Sequence, residues 1–311
     1  MRGLLESARI AVTGAGGFIG AASVDVLARH GADVVAIVAA PGEPARVPDG
    51  ARSIARADIR DAGALRELLV GCDAVVHLAG PASVAASFDD PARYVQIHTE
   101  GTAAILSACR AARVPRMVYV SSAEVYGQPL ASPVPEDHPL SARSPYGAAK
   151  IGAEKMLEAY VHAFGLRGIV LRPFSVYGPL ASPQSLIARI LGLARNGDAV
   201  ELRDLRPVRD YCFVTDLAEA AARACVVKGH DLEIFNVGTM RGTSVERVAQ
   251  LAIDALGTRC EIREAPSRDR PGKSEIYELV ADNRRAREVL GWVPAIPLEA
   301  GLRLTIAGTL R

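Results

Sequence analysis

A doubly wound parallel α/β sheet, with a smaller α/β lobe on its carboxy-terminal side, is the fold these 311 residues predict. Three observations point to it. Short apolar runs alternate with helix-period segments through the first half of the chain, the pattern of right-handed β–α–β crossovers. A glycine cluster separates the first apolar run from the first helical segment. Beyond about Pro179 the alternation loosens, which marks a second lobe.

The first strand is residues 10–12, apolar enough for a strand buried on both faces. It breaks at Gly14-Ala15-Gly16-Gly17-Phe18-Ile19-Gly20 and resumes as a helix through Ala21, Val24, Leu27 and Ala28. Strand, glycine turn and helix together aim backbone N–H groups and a helix N-terminus at a pyrophosphate. Gly14 suits the tight turn, Gly17 a close backbone approach, and Gly20 close packing of helix on strand. The spacing is Gly-x-x-Gly-x-x-Gly, since Ile19 stands where the Gly-x-Gly-x-x-Gly form needs glycine. An ordinary turn in an Ala/Gly-rich chain is the bland alternative. The flanking strand and helix favour a Rossmann-type dinucleotide-binding unit.

Further strands are expected at 32–39, at 53–55 ending near Asp58, and at 74–78, 116–121 and 168–171. Helices are expected at 62–70, 91–113 and 146–164, and residues 40–50 form a Pro/Gly-rich loop. In the second lobe, helices fall at 185–196, 214–227, 245–256 and 282–290, and strands at 232–237 and 260–263. The expected division is a dinucleotide-binding domain at 1–178 and a substrate-binding lobe at 179–311, interleaved because later segments return to the sheet.

Half the residues are apolar and the net charge is +1, so a large core is expected and neither nucleic acid nor a membrane surface is an expected partner. The five cysteines are scattered without a C-x-x-C pair, which predicts reduced thiols and no structural metal. The amino-terminal stretch lacks a signal-peptide core and no run reaches membrane-span length, so a cytoplasmic location is expected.

Tyr146 and Lys150 open the second long helix four residues apart, on one face. An ammonium beside a phenol favours the phenolate and supplies a general acid/base. Alone, the pair reads more readily as surface side chains on an amphipathic helix. Context reverses this, because Ser121-Ser122-Ala123-Glu124 follows the fifth strand and places Ser122 at the active edge of the sheet. Ser122 can hydrogen-bond the oxygen that Tyr146 deprotonates.

Glycine loop, strand-end serine and Tyr-x-x-x-Lys, in that order, resemble the extended short-chain dehydrogenase/reductase family in its nucleotide-sugar epimerase and dehydratase branch. The resemblance runs along essentially the whole chain. It implies that Tyr146 takes the proton from a sugar hydroxyl, usually at C4, while Lys150 holds the nicotinamide ribose and Ser122 aligns the oxygen. The cofactor positions it implies are Gly14, Gly17, Phe18, Ile19, Gly20, Asp58, Ile59, Leu78, Ala79, Gly80, Ser121, Tyr146, Lys150 and Pro173. The implied substrate contacts are Ser122, Ser175, Arg209 and Arg270, the arginines as bidentate diphosphate clamps. Arg209-Asp210-Tyr211 with Asp216 beyond, and Arg270-Pro271-Gly272 before Leu290-Gly291-Trp292, resemble the family's later signatures. By the same analogy the helices at 91–113 and 146–164 pair across a homodimer axis.

The sequence also departs from the pattern. Val38-Ala39-Ala40-Pro41 carries no acid for the adenosine 2′-hydroxyl and no adjacent arginine for a 2′-phosphate, although Glu43 and Arg46 lie in the following loop. NAD is the expected cofactor and NADP stays open. His98 stands where the family has Asn, and reads as a buried satisfied histidine or a proton relay. Ser175, Lys273 and Leu205-Arg206-Pro207 depart on the nucleotide-sugar side. Glu124 sits where the family's dehydratases act at C5, but Ala123 replaces the aspartate that expels the C6 hydroxyl. A solvated strand-end carboxylate is its bland alternative.

The first expectation is an NAD-dependent nucleotide-sugar epimerase acting at C4 through a 4-keto intermediate. A dehydratase using Glu124 and an NADPH-dependent 4-ketosugar reductase are the enzymatic alternatives. A dinucleotide-sensing regulatory protein is the non-enzymatic one.

Overall fold

Strand β1 (Arg9–Thr13) is buried from Ile10 onward and lies inside a seven-stranded, wholly parallel sheet. On one side follow β2 (Asp33–Val38) and β3 (Ser53–Arg56); on the other, β4 (Ala74–His77), β5 (Arg116–Val120) and β6 (Arg167–Pro173). The computed structural model describes residues 3–39, 48–229, 231–265 and 274–308. Unbroken apolar runs such as Val34 to Val38 form these strands because helices cover both faces of the sheet. Ile10 and Val12 join one core, with α1 (Phe18–Arg29); Ala11 joins the other, with α2 (Ala62–Leu69).

The expected helix at 91–113 is not one regular α-helix. A single α-turn (Pro91–Tyr94) passes into a π-turn (Val95–Glu100) and then into α3 (Gly101–Ala112). The wider turn leaves His98 buried, 1% exposed, against the active edge of the sheet. Helix α4 (Pro145–Phe164) starts where its sequence demands: Ser144 caps it by accepting from Gly147 N at 3.1 Å, and Pro145 takes the first helical position.

The lobe is built from β7 (Ser175–Tyr177), α5 (Leu186–Arg195), β8 (Val200–Leu202) and β9 (Val208–Phe213), which runs into α6 (Val214–Ala224). Then come β10 (Leu232–Val237), β11 (Gly242–Ser244), α7 (Val245–Leu256), β12 (Ile262–Glu264), β13 (Glu278–Leu279), α8 (Arg284–Leu290) and α9 (Leu298–Gly308). Strand β9 pairs antiparallel with β11 and parallel with both β13 and β7. The short strands β7, β8, β9, β11 and β13 carry no alternation that the sequence reveals, and α9 follows the helix expected to be last.

Two later elements return to the first domain. β10 joins the large sheet beside β6, and α6 packs its alanine-rich face into the core of α1. The outer edge of β10 is capped: Glu136 Oε1 accepts from Asn236 N at 2.9 Å, and Arg285 Nε donates to Ile234 O at 3.1 Å. Such side chains keep an edge strand from pairing with another chain. Among the described residues no helix is long and apolar enough to cross a membrane.

Candidate active site

The glycine turn is held hard against the end of β4. Gly14 has φ +69°, and a Cβ there would lie 2.7 Å from the backbone N of Ala79; one on Gly20 would lie 2.0 Å from Gly14 O. Leu78 N donates to Thr13 O at 3.2 Å, which fixes the Leu78-Ala79-Gly80 segment beside the turn. Gly17 is the N-cap of α1 and has no side chain to satisfy the first-turn N–H groups. Bare amides, a helix N-terminus and a cradle that any Cβ would fill suit a dinucleotide pyrophosphate.

The glycines separate experimentally. A Cβ on Gly17 would meet only Gly14 O, at 3.2 Å, whereas one on Gly20 drives into backbone. Gly17→Ala is therefore expected to keep its melting temperature yet weaken NAD binding by about tenfold or more, because the methyl occupies the pyrophosphate's approach. Unchanged affinity in calorimetry would remove Gly17 from the cofactor site.

At the ends of β5 and α4 the structure brings Ser122, Glu124, Tyr146 and Lys150 together. Ser122 leads into a single 3₁₀ turn (Ala123–Tyr126), and its hydroxyl accepts from Glu124 N at 3.2 Å. The Tyr146 phenol is 8% exposed and Lys150 5%. Lys150 Nζ donates to Val120 O at 2.9 Å and lies 5.8 Å from the Tyr146 ring centroid. Burial drives the ammonium pKa down to about 7, opposed by the Glu154 charge.

The phenol is buried edge-on against Tyr94 and His98. Its pKa is raised, first by burial; the hydrogen bond with Ser122 pulls it down, and the nearby Glu124 and Tyr94 push it up. The phenol is therefore stored protonated.

His98 packs edge-on against Tyr146, with ring centroids 5.5 Å apart. Its Nε2 meets Pro81 O at 2.9 Å, while its buried Nδ1 has no hydrogen-bond partner among the described residues. The expected satisfied histidine is thus half satisfied. Burial drives its pKa down to about 2, so the ring is neutral and stores no proton.

The remaining expected residues fall around this centre. Asp58 ends the β3 side, but its carboxylate is engaged by Arg60 (Nη2–Oδ2 2.6 Å), which lowers its pKa; Ile59 packs toward Gly101. Pro173 ends β6, and Ser175 opens β7 opposite Tyr211. Ser121 turns its hydroxyl to Glu154 Oε1 at 2.5 Å. Arg209 lies at the start of β9 and pairs with Glu275. Arg270 lies outside the described residues, as do Glu43, Arg46 and Lys273.

Three buried charged residues serve the scaffold. Arg172 is buried on Glu154. Asp210 accepts from the backbone N of Thr239, Met240 and Ala281. Asp216 accepts from Ala295 N and Ile296 N, and its carbonyl takes the Trp292 Nε1–H. Sequence reasoning also missed Arg56. Sheet register sets it opposite Val38, with Nη1 3.3 Å from Ala39 O, so an arginine does stand at the end of β2.

A parallel sheet carrying a glycine-lined dinucleotide cradle next to a buried Ser–Tyr–Lys set defines a short-chain dehydrogenase/reductase-type protein. The match to known proteins narrows this: residues 10–238 fit the model of the NAD dependent epimerase/dehydratase family, and the chain belongs to that family. It is 34% identical over 311 residues to a UDP-glucose 4-epimerase of Mycolicibacterium smegmatis, covering 96% of this chain and 97% of that one. The solved UDP-glucose 4-epimerase of Thermotoga maritima with UDP-glucose superposes with TM-score 0.89 at 32% identity, over 97% of this chain and 100% of its own. A dTDP-glucose 4,6-dehydratase of Streptomyces venezuelae with NAD bound follows at TM-score 0.88 and 28% identity, over 96% of both chains.

Proposed function

We propose that the chain is an NAD-dependent nucleotide-sugar epimerase that inverts C4 of a UDP-sugar. The observation that carries this reading is the Tyr146 phenol, buried at the strand ends beside the glycine cradle, with Lys150 one turn along its helix and Ser122 close enough to lower its pKa. Gly14, Gly17, Gly20, Leu78, Ala79 and Gly80 hold the cofactor on this reading, with Lys150 and Tyr146 at its reactive end. A bound nicotinamide supplies the hydride acceptor and positive charge that convert the C4 carbinol to a 4-keto sugar and back.

The chain's own part is proton handling and orientation. Ser122 fixes the sugar oxygen on the line to the Tyr146 oxygen, which accepts the hydroxyl proton and later returns it. Burial excludes water, so the proton stays between substrate and phenol. Lys150, held on Val120 O and one turn from Tyr146 on the same helix, would hold the nicotinamide ribose.

Glu124 supports a second reading. Its charge is felt at the Tyr146 phenol, so a carboxylate sits within electrostatic reach of the same centre. A carboxylate there can take a proton at C5, the step of a dehydratase, and a dehydratase is among the similar structures.

Incubation with UDP-, dTDP- and GDP-sugars distinguishes these readings. Epimerisation gives a C4-inverted product of unchanged mass with NAD retained and no net NADH. A product lighter by one water moves the chain to the dehydratases, and stoichiometric NADPH consumption to the reductases. Dinucleotide retention without turnover leaves a sensor. The same preparation is expected to sediment as a homodimer of 32.8 kDa chains, paired through α3 and α4.

A further inference from the structure

Two guanidinium groups of the lobe converge on a single carboxylate. Glu275 Oε1 lies 3.1 Å from Arg209 Nη2, and its Oε2 lies 3.5 Å from Arg203 Nη1. The Glu275 and Arg209 side chains are each 13% exposed and Arg203 is 28% exposed, so the cluster borders solvent. Arg203 follows β8, Arg209 begins β9, and Glu275 precedes β13, which pairs with β9 at that arginine.

The backbone around Glu275 is anchored independently of these arginines. Arg143 Nη1 donates to Glu275 O at 3.2 Å, and Tyr277 N donates to Gln128 Oε1 at 2.8 Å. Tyr277 O in turn accepts from Val208 N at 2.7 Å. This segment thus ties the loop before α4 to β9, and its fold does not depend on where the Glu275 carboxylate points. The Arg203–Glu275 contact is the longer and more exposed of the two and adds little stability, so folding alone gives small reason for a second arginine on this acid.

Two arginine forks facing one point form a donor set for a diphosphate, which offers oxygens to both at once. We propose that Arg203 is a further arm of the diphosphate clamp beside Arg209, and that Glu275 is its resident counter-anion, which the substrate must displace. The proposal rests on the nucleotide-sugar reading above, through Arg209. Displacement sets selectivity. A diphosphate engages both guanidinium groups and releases the carboxylate, whereas a monophosphate engages one and leaves Glu275 on the other. Glu275 therefore costs a diphosphate more than a monophosphate and narrows the preference between them.

Calorimetric titration of the full chain with UDP, UMP and inorganic pyrophosphate tests this in the wild type, Glu275→Gln and Arg203→Gln. Glu275→Gln is expected to tighten UDP by about tenfold and UMP by less, so that the UDP preference grows. Arg203→Gln is expected to weaken UDP and pyrophosphate by about tenfold. Glu275→Asp, whose shorter side chain reaches the arginines less well, is expected to fall between wild type and Glu275→Gln and decides the matter if the latter folds poorly. Wild-type binding of UDP with no gain in either Glu275 variant overturns the counter-anion while leaving the nucleotide reading standing. Pyrophosphate bound as tightly as UDP, and tightened in Glu275→Gln, keeps the clamp and removes the nucleotide reading.

Discussion

Tyr146→Phe is expected to lower kcat by about 10²–10⁴-fold while the chain keeps its fold and its dinucleotide. Only the hydroxyl is lost. The ring contacts survive, because Tyr94 and His98 meet Tyr146 edge-on with centroids 6.1 and 5.5 Å away. The raised pKa keeps the phenol neutral, so replacing it by Phe leaves no unpaired charge in the site and does not threaten folding. The loss falls on the proton step, because Phe offers the sugar hydroxyl no acceptor. Product formation by NMR, bound dinucleotide after denaturation and a thermal melt give the three readouts. Full activity in this variant would leave Glu124 as the group that moves the proton. An inactive wild type with an unchanged dinucleotide content would favour the sensor.

The parts of this site that were legible in the sequence are those whose chemistry is local. The glycine turn announces itself because strand, turn and helix are contiguous, and only glycine survives contacts like that of Gly20 on Gly14 O. Tyr146 and Lys150 are legible because one helix face fixes their relation. Residues joined by tertiary structure were not. Arg56 is 18 residues from Val38 in the chain and reaches it only through sheet register, so a search of the β2 end for a cation finds none. The π-turn at His98 departs from the helix period by one inserted residue, which an apolar pattern with so few marked positions does not register. In the lobe, strands of two or three residues such as β13 and β11 are defined by their partners rather than their own composition.

Glu154→Ala is expected to destabilise the chain by about 3–5 kcal/mol, on the order of a 10 °C fall in melting temperature. Arg172 and Glu154 are 3% and 5% exposed and form a two-pronged pair, Nε–Oε1 3.1 Å and Nη2–Oε2 2.7 Å. The other hydrogen-bond partners of Arg172 among the described residues are neutral: the Tyr126 hydroxyl at 2.9 Å and Glu136 O at 3.0 Å. Without Glu154 a guanidinium stays buried with its charge uncompensated. A second effect follows on the same helix. The Glu154 charge raises the Lys150 pKa against burial, so its removal takes that pKa below about 7 and cuts the protonated fraction at neutral pH. Turnover that depends on the ammonium should then lose its alkaline limb at a lower pH than in the wild type. The double variant Glu154→Leu with Arg172→Met removes both buried charges and should recover much of the stability, since an apolar pair of similar bulk tolerates the site. It should not recover the pH profile, because Lys150 still lacks its counter-charge. Melts and pH–rate profiles therefore separate the two contributions. If stability and the alkaline limb return together, Glu154 acts on Lys150 only by holding the fold.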